Sequence, residues 1–358
     1  MASINIFIPV YNGEKYLSRT LDCVLGQSFG DLEVFCVDDG SSDDSYALLQ
    51  KYASRDPRVR LFQKPNGGSV PPSWVFVIPK IDGDFVLYMS QDDILLPETL
   101  EKLVKRQRET GADAVLPHEI HYYEGLPDNK QHHLLGINGD VTPILSGKEA
   151  FRLMIDYSIS GRALWSSRVV REIGMPADTY NADELAQRLW ALNCQKVAFS
   201  DAVFLYCRDN PNAITTKHSP RHYDNCLTTA LLLQLTEKVF PYDTELLQSM
   251  ANGYYDYLLK MYMVFFQRKD TYTPEERSRS KEMLHKAYQI IHHRHSLKGK
   301  KNRISSICFP AFLAVASYKA LKYLRLGIML EDNFDALPYT AINKWKQPND
   351  FAQNTTSF

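Results

Sequence analysis

The six cysteines of this 358-residue sequence (Cys23, Cys36, Cys194, Cys207, Cys226 and Cys308) include no Cys-x-x-Cys pair. Isolated cysteines suit neither a disulfide scaffold nor a cysteine zinc site, and a reducing compartment, the cytoplasm, is the expected location. The sequence also lacks any uncharged apolar run of about 18 residues, so no membrane-spanning helix is expected. Its first residues carry no basic cluster and reach Pro9 and Asn12 too early for a signal peptide. A global charge bias is missing as well: 41 Lys and Arg stand against 42 Asp and Glu, for a net charge of -1. That balance excludes a uniformly basic nucleic-acid binder, and no nucleic-acid partner is expected. Internal repeats and low-complexity tracts are absent. What is present is 44% hydrophobic and 23% charged residues, enough for a buried core, and the length suits about two domains or one domain with a long extension.

The balanced total hides an uneven distribution. From Lys286 to Arg325 there are nine Lys or Arg and no Asp or Glu, so with a total of -1 the remainder carries -10. Inside this window, Ile304 to Tyr318 is uncharged, mostly apolar and interrupted by Pro310. Basic flanks around an apolar centre suit contact of the 298–326 segment with an anionic membrane surface, which would make the protein peripheral on the inner face of a membrane. The competing expectation is a helix packed internally with a solvated basic face. His292, His293 and His295 lie among Arg294 and Lys298, and His132 and His133 lie elsewhere. Neighbouring cations oppose metal binding by the first group, which reads as a basic stretch rather than a metal site.

The first hundred residues alternate between strand and helix signals. Ile4 to Val10 is an apolar run closed by Asn12-Gly13, which predicts a buried strand. Glu14 to Leu25 places Tyr16, Leu17, Leu21, Val24 and Leu25 at helical spacing. Leu32 to Val37 predicts a second strand ending at Asp38-Asp39-Gly40-Ser41-Ser42-Asp43, Val59 to Phe62 a third, and Phe85 to Met89 a fourth ending at Ser90-Gln91-Asp92-Asp93. A helix follows from Pro97 to Arg108. This alternation predicts an α/β fold whose mostly parallel sheet is covered by helices on both faces. Residues 222–295 show helical spacing, so a helical region is expected to follow. The expected division is a catalytic domain over 1–217, a helical region over 218–345 and a flexible tail over 346–358.

Ligands of such sheets bind at the carboxyl ends of strands, where both acidic pairs fall. Two converging carboxylate pairs repel unless a divalent cation or ligand donors relieve them. Each loop alone reads equally as a turn with helix-capping acids.

Taken together, Ile8-Pro-Val-Tyr-Asn12 with Glu14, then Glu33 to Asp43, then Gly83 to Asp93 resemble the family 2 glycosyltransferases of GT-A fold. The resemblance is strong over about 3–110 and loose over 145–217. It implies an inverting, metal-assisted transfer of one sugar from a nucleotide-diphosphate sugar, with UDP the expected nucleotide, to a hydroxyl of a glycan or lipid-linked glycan in cell-surface polysaccharide synthesis. It further implies that Pro9, Tyr11, Glu14, Asp38, Asp39, Asp92 and Arg208 meet the donor, with Asp39 on the base and Asp92 on the ribose. Asp93 would hold Mn²⁺ or Mg²⁺, and Asp183 or Glu184, at a predicted helix start, would be the base.

The sequence departs from the family pattern in three places. Ser90 stands where many members have Asp, Trp74 where an Arg is usual, and Asn210 where a His is usual. Trp74 either stacks on the nucleotide or packs in the core. The Gln-x-x-Arg-Trp motif of processive synthases is absent, which favours one sugar per visit. The alternatives are a nucleotide-sugar-binding protein without turnover, or a nucleotidyltransferase. The latter would want a Gly-rich, basic loop after the first strand, and Tyr11-Asn-Gly-Glu14 lacks one.

Overall fold

The computed structural model describes residues 3–211, 213, 218–292, 309–326 and 328–330. The basic stretch 298–308, His293, His295 and the tail expected over 346–358 lie outside the described residues. The described chain divides into two compact units, one of 3–176 and 186–211, the other of 177–185, 213, 218–292, 309–326 and 328–330.

In chain order the first unit contains β1 (Ile4–Val10), α1 (Glu14–Leu25), β2 (Leu32–Asp38), α2 (Ser45–Arg55), β3 (Val59–Gln63), α3 (Val70–Val77), β4 (Phe85–Tyr88), β5 (Ile94–Leu95) and α4 (Thr99–Thr110). It continues with β6 (Ala114–Tyr122), β7 (His132–Leu134), β8 (Ile144–Leu145), α5 (Gly147–Ile155), β9 (Leu164–Ser166) and α6 (Ser167–Ile173). The division falls inside α7 (Ala182–Leu192), after which the chain forms β10 (Val197–Cys207).

The strands form one sheet in the order β3-β2-β1-β4-β9-β6-β10-β5, with β7 on β6 and β8 on β10. The β3-β2-β1-β4 half is parallel, as the alternating strand and helix signals predict. The other half is mixed: β9 runs antiparallel to both β4 and β6, whereas β10 is parallel to β6. The three-residue β9 is the adaptor that lets the second half join.

Both faces of the sheet are buried, and β1 illustrates how. Ile4, Ile6 and Ile8 pack on one face with Leu17, Leu21 and Val24 of α1 and Leu100, Leu103 and Val104 of α4. Phe7 points to the opposite face, among Trp74, Val77, Met154, Val170 and Trp190. Alternation along a strand is thus apolar on both sides, as a sheet covered twice requires. Each fully buried side chain of this size stabilises the fold by roughly 1.5–3 kcal/mol. Trp74 is 1% exposed, with its ring centroid 4.6 Å from Phe7 and 5.1 Å from Trp190, so it is a core residue.

The second unit is helical: α8 (Asp224–Val239), α9 (Thr244–Arg268), α10 (Pro274–Ile291) and α11 (Phe309–Arg325). Thr273 and Glu276 form a reciprocal capping box at the start of α10, with Pro274 at its first position. No described helix is long and apolar enough to cross a membrane.

Candidate active site

The register of the parallel strands decides which loops meet. Val10 of β1 pairs with Asp38 of β2, and Phe7 pairs with Tyr88 of β4, so all three strands finish at one edge. Pro9 lies beyond the last β1–β4 pair, where its missing N–H costs the sheet little. The loops that follow are tied to one another. Gln91 uses both ends of its amide on Tyr11: the Tyr11 N–H donates to Oε1 at 2.9 Å, and Nε2 donates to the Tyr11 carbonyl at 3.1 Å. Gly13 passes so close that a Cβ there would meet the Gln91 amide and push it from its place on Tyr11. The Asn12 N–H donates to Ser41 Oγ at 3.0 Å, and the Ser42 N–H returns to Asn12 Oδ1 at 2.8 Å. Glu14 accepts from the Asp44 N–H at 2.9 Å, bracing the loop between β2 and α2. Tyr11 remains 44% exposed at the centre of this edge. Pro9, Tyr11, Glu14, Asp38, Asp39, Asp92 and Asp93 are therefore brought to one end of the sheet.

The members of each acidic pair have different surroundings. Asp38 has no exposed surface; its carboxylate accepts from Gln63 Nε2 at 3.2 Å and more weakly from the Ser41 N–H. Asp39 retains a little surface, pairs with the Lys64 ammonium and accepts from the Gly67 N–H at 2.9 Å. Gly40, at φ 73, makes the turn that follows the pair.

In the second pair the order reverses. Asp93 is fully buried, and its carboxylate accepts from the backbone N–H groups of Ser90 at 2.8 Å and Cys207 at 3.2 Å. Burial pushes its pKa up to about 7, Arg162 at 3.7 Å pulls it down, and neighbouring Asp92 adds a smaller upward push. Asp92 is the member with accessible surface, 7% of the residue, and its Oδ2 accepts from Asn210 Nδ2 at 2.8 Å. Asn210 thus reaches the strand-end acids from the far end of β10. Arg208, half-buried in the same segment, donates to the Tyr206 hydroxyl at 2.8 Å.

Three contributors escape sequence reasoning. Lys64 neutralises Asp39 from the end of β3. Arg162, before β9, lies between Asp93 and Glu119, its Nε 3.2 Å from Glu119 Oε2 and its guanidinium 3.9 Å above the Tyr206 ring. Glu119, on β6, also meets His121 Nε2 at 3.0 Å and the Ser160 hydroxyl. Burial alone would raise the Glu119 pKa, but Arg162 and His121 hold it down to about 2. No local pattern signals these groups: Lys64 meets Asp39 only through the pairing of β2 with β3, and Arg162 meets Glu119 and Asp93 only when β9 and β6 enter the sheet.

Asp183 and Glu184 lie half-buried in the first turn of α7, in the second unit, as a helix-start pair should. In that unit Thr228 of α8 donates to Asn181 Oδ1 at 2.7 Å, tying the residues just before α7 to α8. Arg188 donates to the Met154 carbonyl at 3.0 Å and lies over the Tyr157 ring.

Among the described residues no group of three or more His, Cys, Asp or Glu is arranged to hold a metal ion. A hard divalent cation that takes one or two carboxylates and completes its shell with phosphates and water asks for less. Asp92, a residue that keeps a little surface beside Asn210, could supply one carboxylate to that donor set; Asp93 has no exposed surface, and its carboxylate accepts from the Ser90 and Cys207 N–H groups.

Residues 5–167 match the family model described as glycosyl transferase family 2. Glycosyltransferase GlyG of Streptococcus pneumoniae is 24% identical over 222 residues, 60% of this chain and 73% of GlyG. An uncharacterized glycosyltransferase of Haemophilus influenzae is 33% identical over 102 residues, 28% of this chain and 41% of that protein. Chondroitin synthase of Pasteurella multocida is 35% identical over 102 residues, but these are only 10% of that larger enzyme. Among solved structures, S. aureus TarS 1–349 in complex with UDP-GlcNAc superposes with a TM-score of 0.59 at 17% identity, over 92% of this chain and 95% of that one. The same protein in complex with UDP gives 0.58 at 18% identity, over 91% and 92%. With its strand-end acids and its helix-covered sheet, the chain has a GT-A-type fold like that of the TarS structures, and over residues 5–167 it is similar to the family 2 glycosyltransferases.

Proposed function

We propose that the protein is an inverting, metal-assisted glycosyltransferase that moves one sugar from a nucleotide-diphosphate sugar, UDP-linked, to a hydroxyl of a glycan or lipid-linked glycan. The transferred sugar is a hexosyl or N-acetylhexosaminyl group, and the product serves cell-surface polysaccharide synthesis. The observation that carries this reading is the meeting of Tyr11, Asp39 and Asp92 at the shared end of β1, β2 and β4. TarS structures holding UDP and UDP-GlcNAc on a similar fold support the choice of nucleotide.

In this reading Asp39 receives the base, with Lys64 holding its carboxylate in place, and Tyr11 and Pro9 border the nucleotide. Glu14 and Asp38 shape the loops rather than touch the donor. Asp92 takes the metal position that the sequence alone suggests for Asp93, because burial occupies Asp93. Mg²⁺ or Mn²⁺ held there would neutralise the diphosphate as it departs. Arg208 adds positive charge toward phosphate. The acceptor oxygen bonds to the anomeric carbon as the bond to the diphosphate oxygen breaks from the opposite side. The hydroxyl proton passes to Asp183 or Glu184.

Thermal-shift screening of nucleotide sugars with and without Mn²⁺ tests the reading directly: a UDP-sugar should raise the unfolding midpoint, and the rise should grow with metal. If no nucleotide sugar stabilises the protein, the proposal fails. Asp92→Asn should erase the difference in UDP affinity between Mn²⁺ and chelator, while Asp93→Asn should keep that difference. The reverse pattern returns the metal to Asp93. Asp39→Asn should weaken UDP binding about tenfold or more, as expected for losing a hydrogen bond to a charged group worth ~1.5–3 kcal/mol. Calorimetry showing unchanged affinity would make Asp39 a loop residue only.

A further inference from the structure

Helix α11 inverts the usual relation between side-chain size and burial. Its inward stripe is Phe312, Ala316 and Ala320, spaced four apart, all buried. Phe312 packs 5.6 Å from Tyr255 and 5.1 Å from Tyr262 of α9. After Ala320 this stripe ends, and residues 321–326 are all exposed. Large apolar groups lie there and just beyond it: Leu321 is 56% exposed, Leu326 63%, Ile328 43% and Met329 49%, with Tyr318 at 70% one turn earlier. The segment is held in place. Gln267 donates to the Ile328 carbonyl at 3.2 Å and accepts from the Leu330 N–H at 2.9 Å. Lys319, Lys322 and Arg325 are interleaved with these apolar groups, and no acid occurs between Lys286 and Arg325.

Contiguous exposed apolar groups mark a contact surface, and the charges select its occupant. A symmetric pairing of this face with a second copy would set Lys319, Lys322 and Arg325 against their counterparts, and no acid lies between Lys286 and Arg325 to offset them. An anionic lipid surface satisfies both halves of the pattern: acyl chains take the leucines, isoleucine and methionine, and headgroups take the cations. We infer that the exposed end of α11, from Tyr318 to Leu326, together with Ile328 and Met329, docks on anionic lipid bilayers. Each cation near such a surface strengthens partition roughly fivefold. The inference stands apart from sugar transfer, and its failure would leave that reading untouched.

The test is co-sedimentation of the full chain with phosphatidylcholine vesicles, with and without phosphatidylglycerol. Binding is expected only to the anionic vesicles and should fall as salt rises and the Debye length shrinks to about 8 Å at physiological ionic strength. Two variants alter only this outward-facing segment: Leu321→Ser with Leu326→Ser, and Lys319→Gln with Lys322→Gln and Arg325→Gln. Each should bind more than tenfold more weakly while keeping the wild-type unfolding midpoint. Failure of the wild-type chain to pellet with anionic vesicles at low salt overturns the inference, as does undiminished binding by either variant. A concentration-dependent dimer that the serine variant abolishes, without vesicle binding, would assign the face to a second copy instead.

Discussion

Replacing Asp183 by Asn is expected to cut turnover by about 10²–10⁴-fold, the usual contribution of a general base, and to leave UDP affinity unchanged. Asn fills the same volume at the start of α7 but cannot accept the acceptor's proton. Asp183 and Glu184 are both acids in the first helical turn, where either also favours the helix dipole by about 0.3–1 kcal/mol. A dipole role alone would therefore lower stability slightly and leave single-turnover rates intact. Glu184→Gln separates the adjacent candidates. If it abolishes turnover while Asp183→Asn is silent, the base moves by one residue and the transferase reading survives. If both variants transfer sugar at the wild-type rate, the pair is a helix-start device, and the base must be sought elsewhere. Donor affinity measured by calorimetry in parallel keeps a binding defect from being mistaken for a chemical one.

Arg162→Met is expected to destabilise the fold by about 3–5 kcal/mol, the cost of leaving a buried charge without its partner. Total stabilities of ~5–15 kcal/mol make this a large fraction. Arg162 is a buried cation between two buried acids, Asp93 and Glu119, and its guanidinium also covers the Tyr206 ring. Removing it leaves both buried carboxylates without their cation, held only by the Ser90 and Cys207 N–H groups and by His121 and Ser160. Urea denaturation should show a midpoint well below wild type. Adding Glu119→Gln to the Met variant should recover part of the loss, since one stranded charge then disappears. Arg162→Lys should be intermediate, because an ammonium cannot reproduce the planar fork. An unchanged midpoint in Arg162→Met would mean that water reaches Glu119 and Asp93, and the pair could not be a rigid support for the loop that carries Asp92.

Local periodicity is enough to make the β3-β2-β1-β4 half of the sheet legible. Ile4 to Val10 and Leu32 to Val37 are apolar runs closed by turn residues, and the spacing of Leu17, Leu21 and Val24 defines the face of α1. Parallel strands of this kind place their carboxyl ends on one edge whatever their details, so Asp39 and Asp92 could be placed at one end of the sheet from the sequence alone. The mixed half was not legible, because β9 has three residues and no periodicity, and it acquires its strand identity from β4 and β6 on either side. Trp74 shows the same limit. An aromatic residue at a site position reads equally as a stacking platform or a core group, and only the proximity of Phe7 and Trp190 decides for the core. The acidic pairs make the point most plainly. Asp92 and Asp93 are chemically identical neighbours, and nothing in composition or spacing separates them. The sequence by itself determined that two acids stand at the end of β4. Which of them keeps access to solvent, and which is drawn inward to the amides of Ser90 and Cys207 and toward Arg162, was decided by β10 and the chain before β9 closing over one side of the loop. Burial depends on what the rest of the chain brings to a residue, and that depends on contacts far apart in sequence.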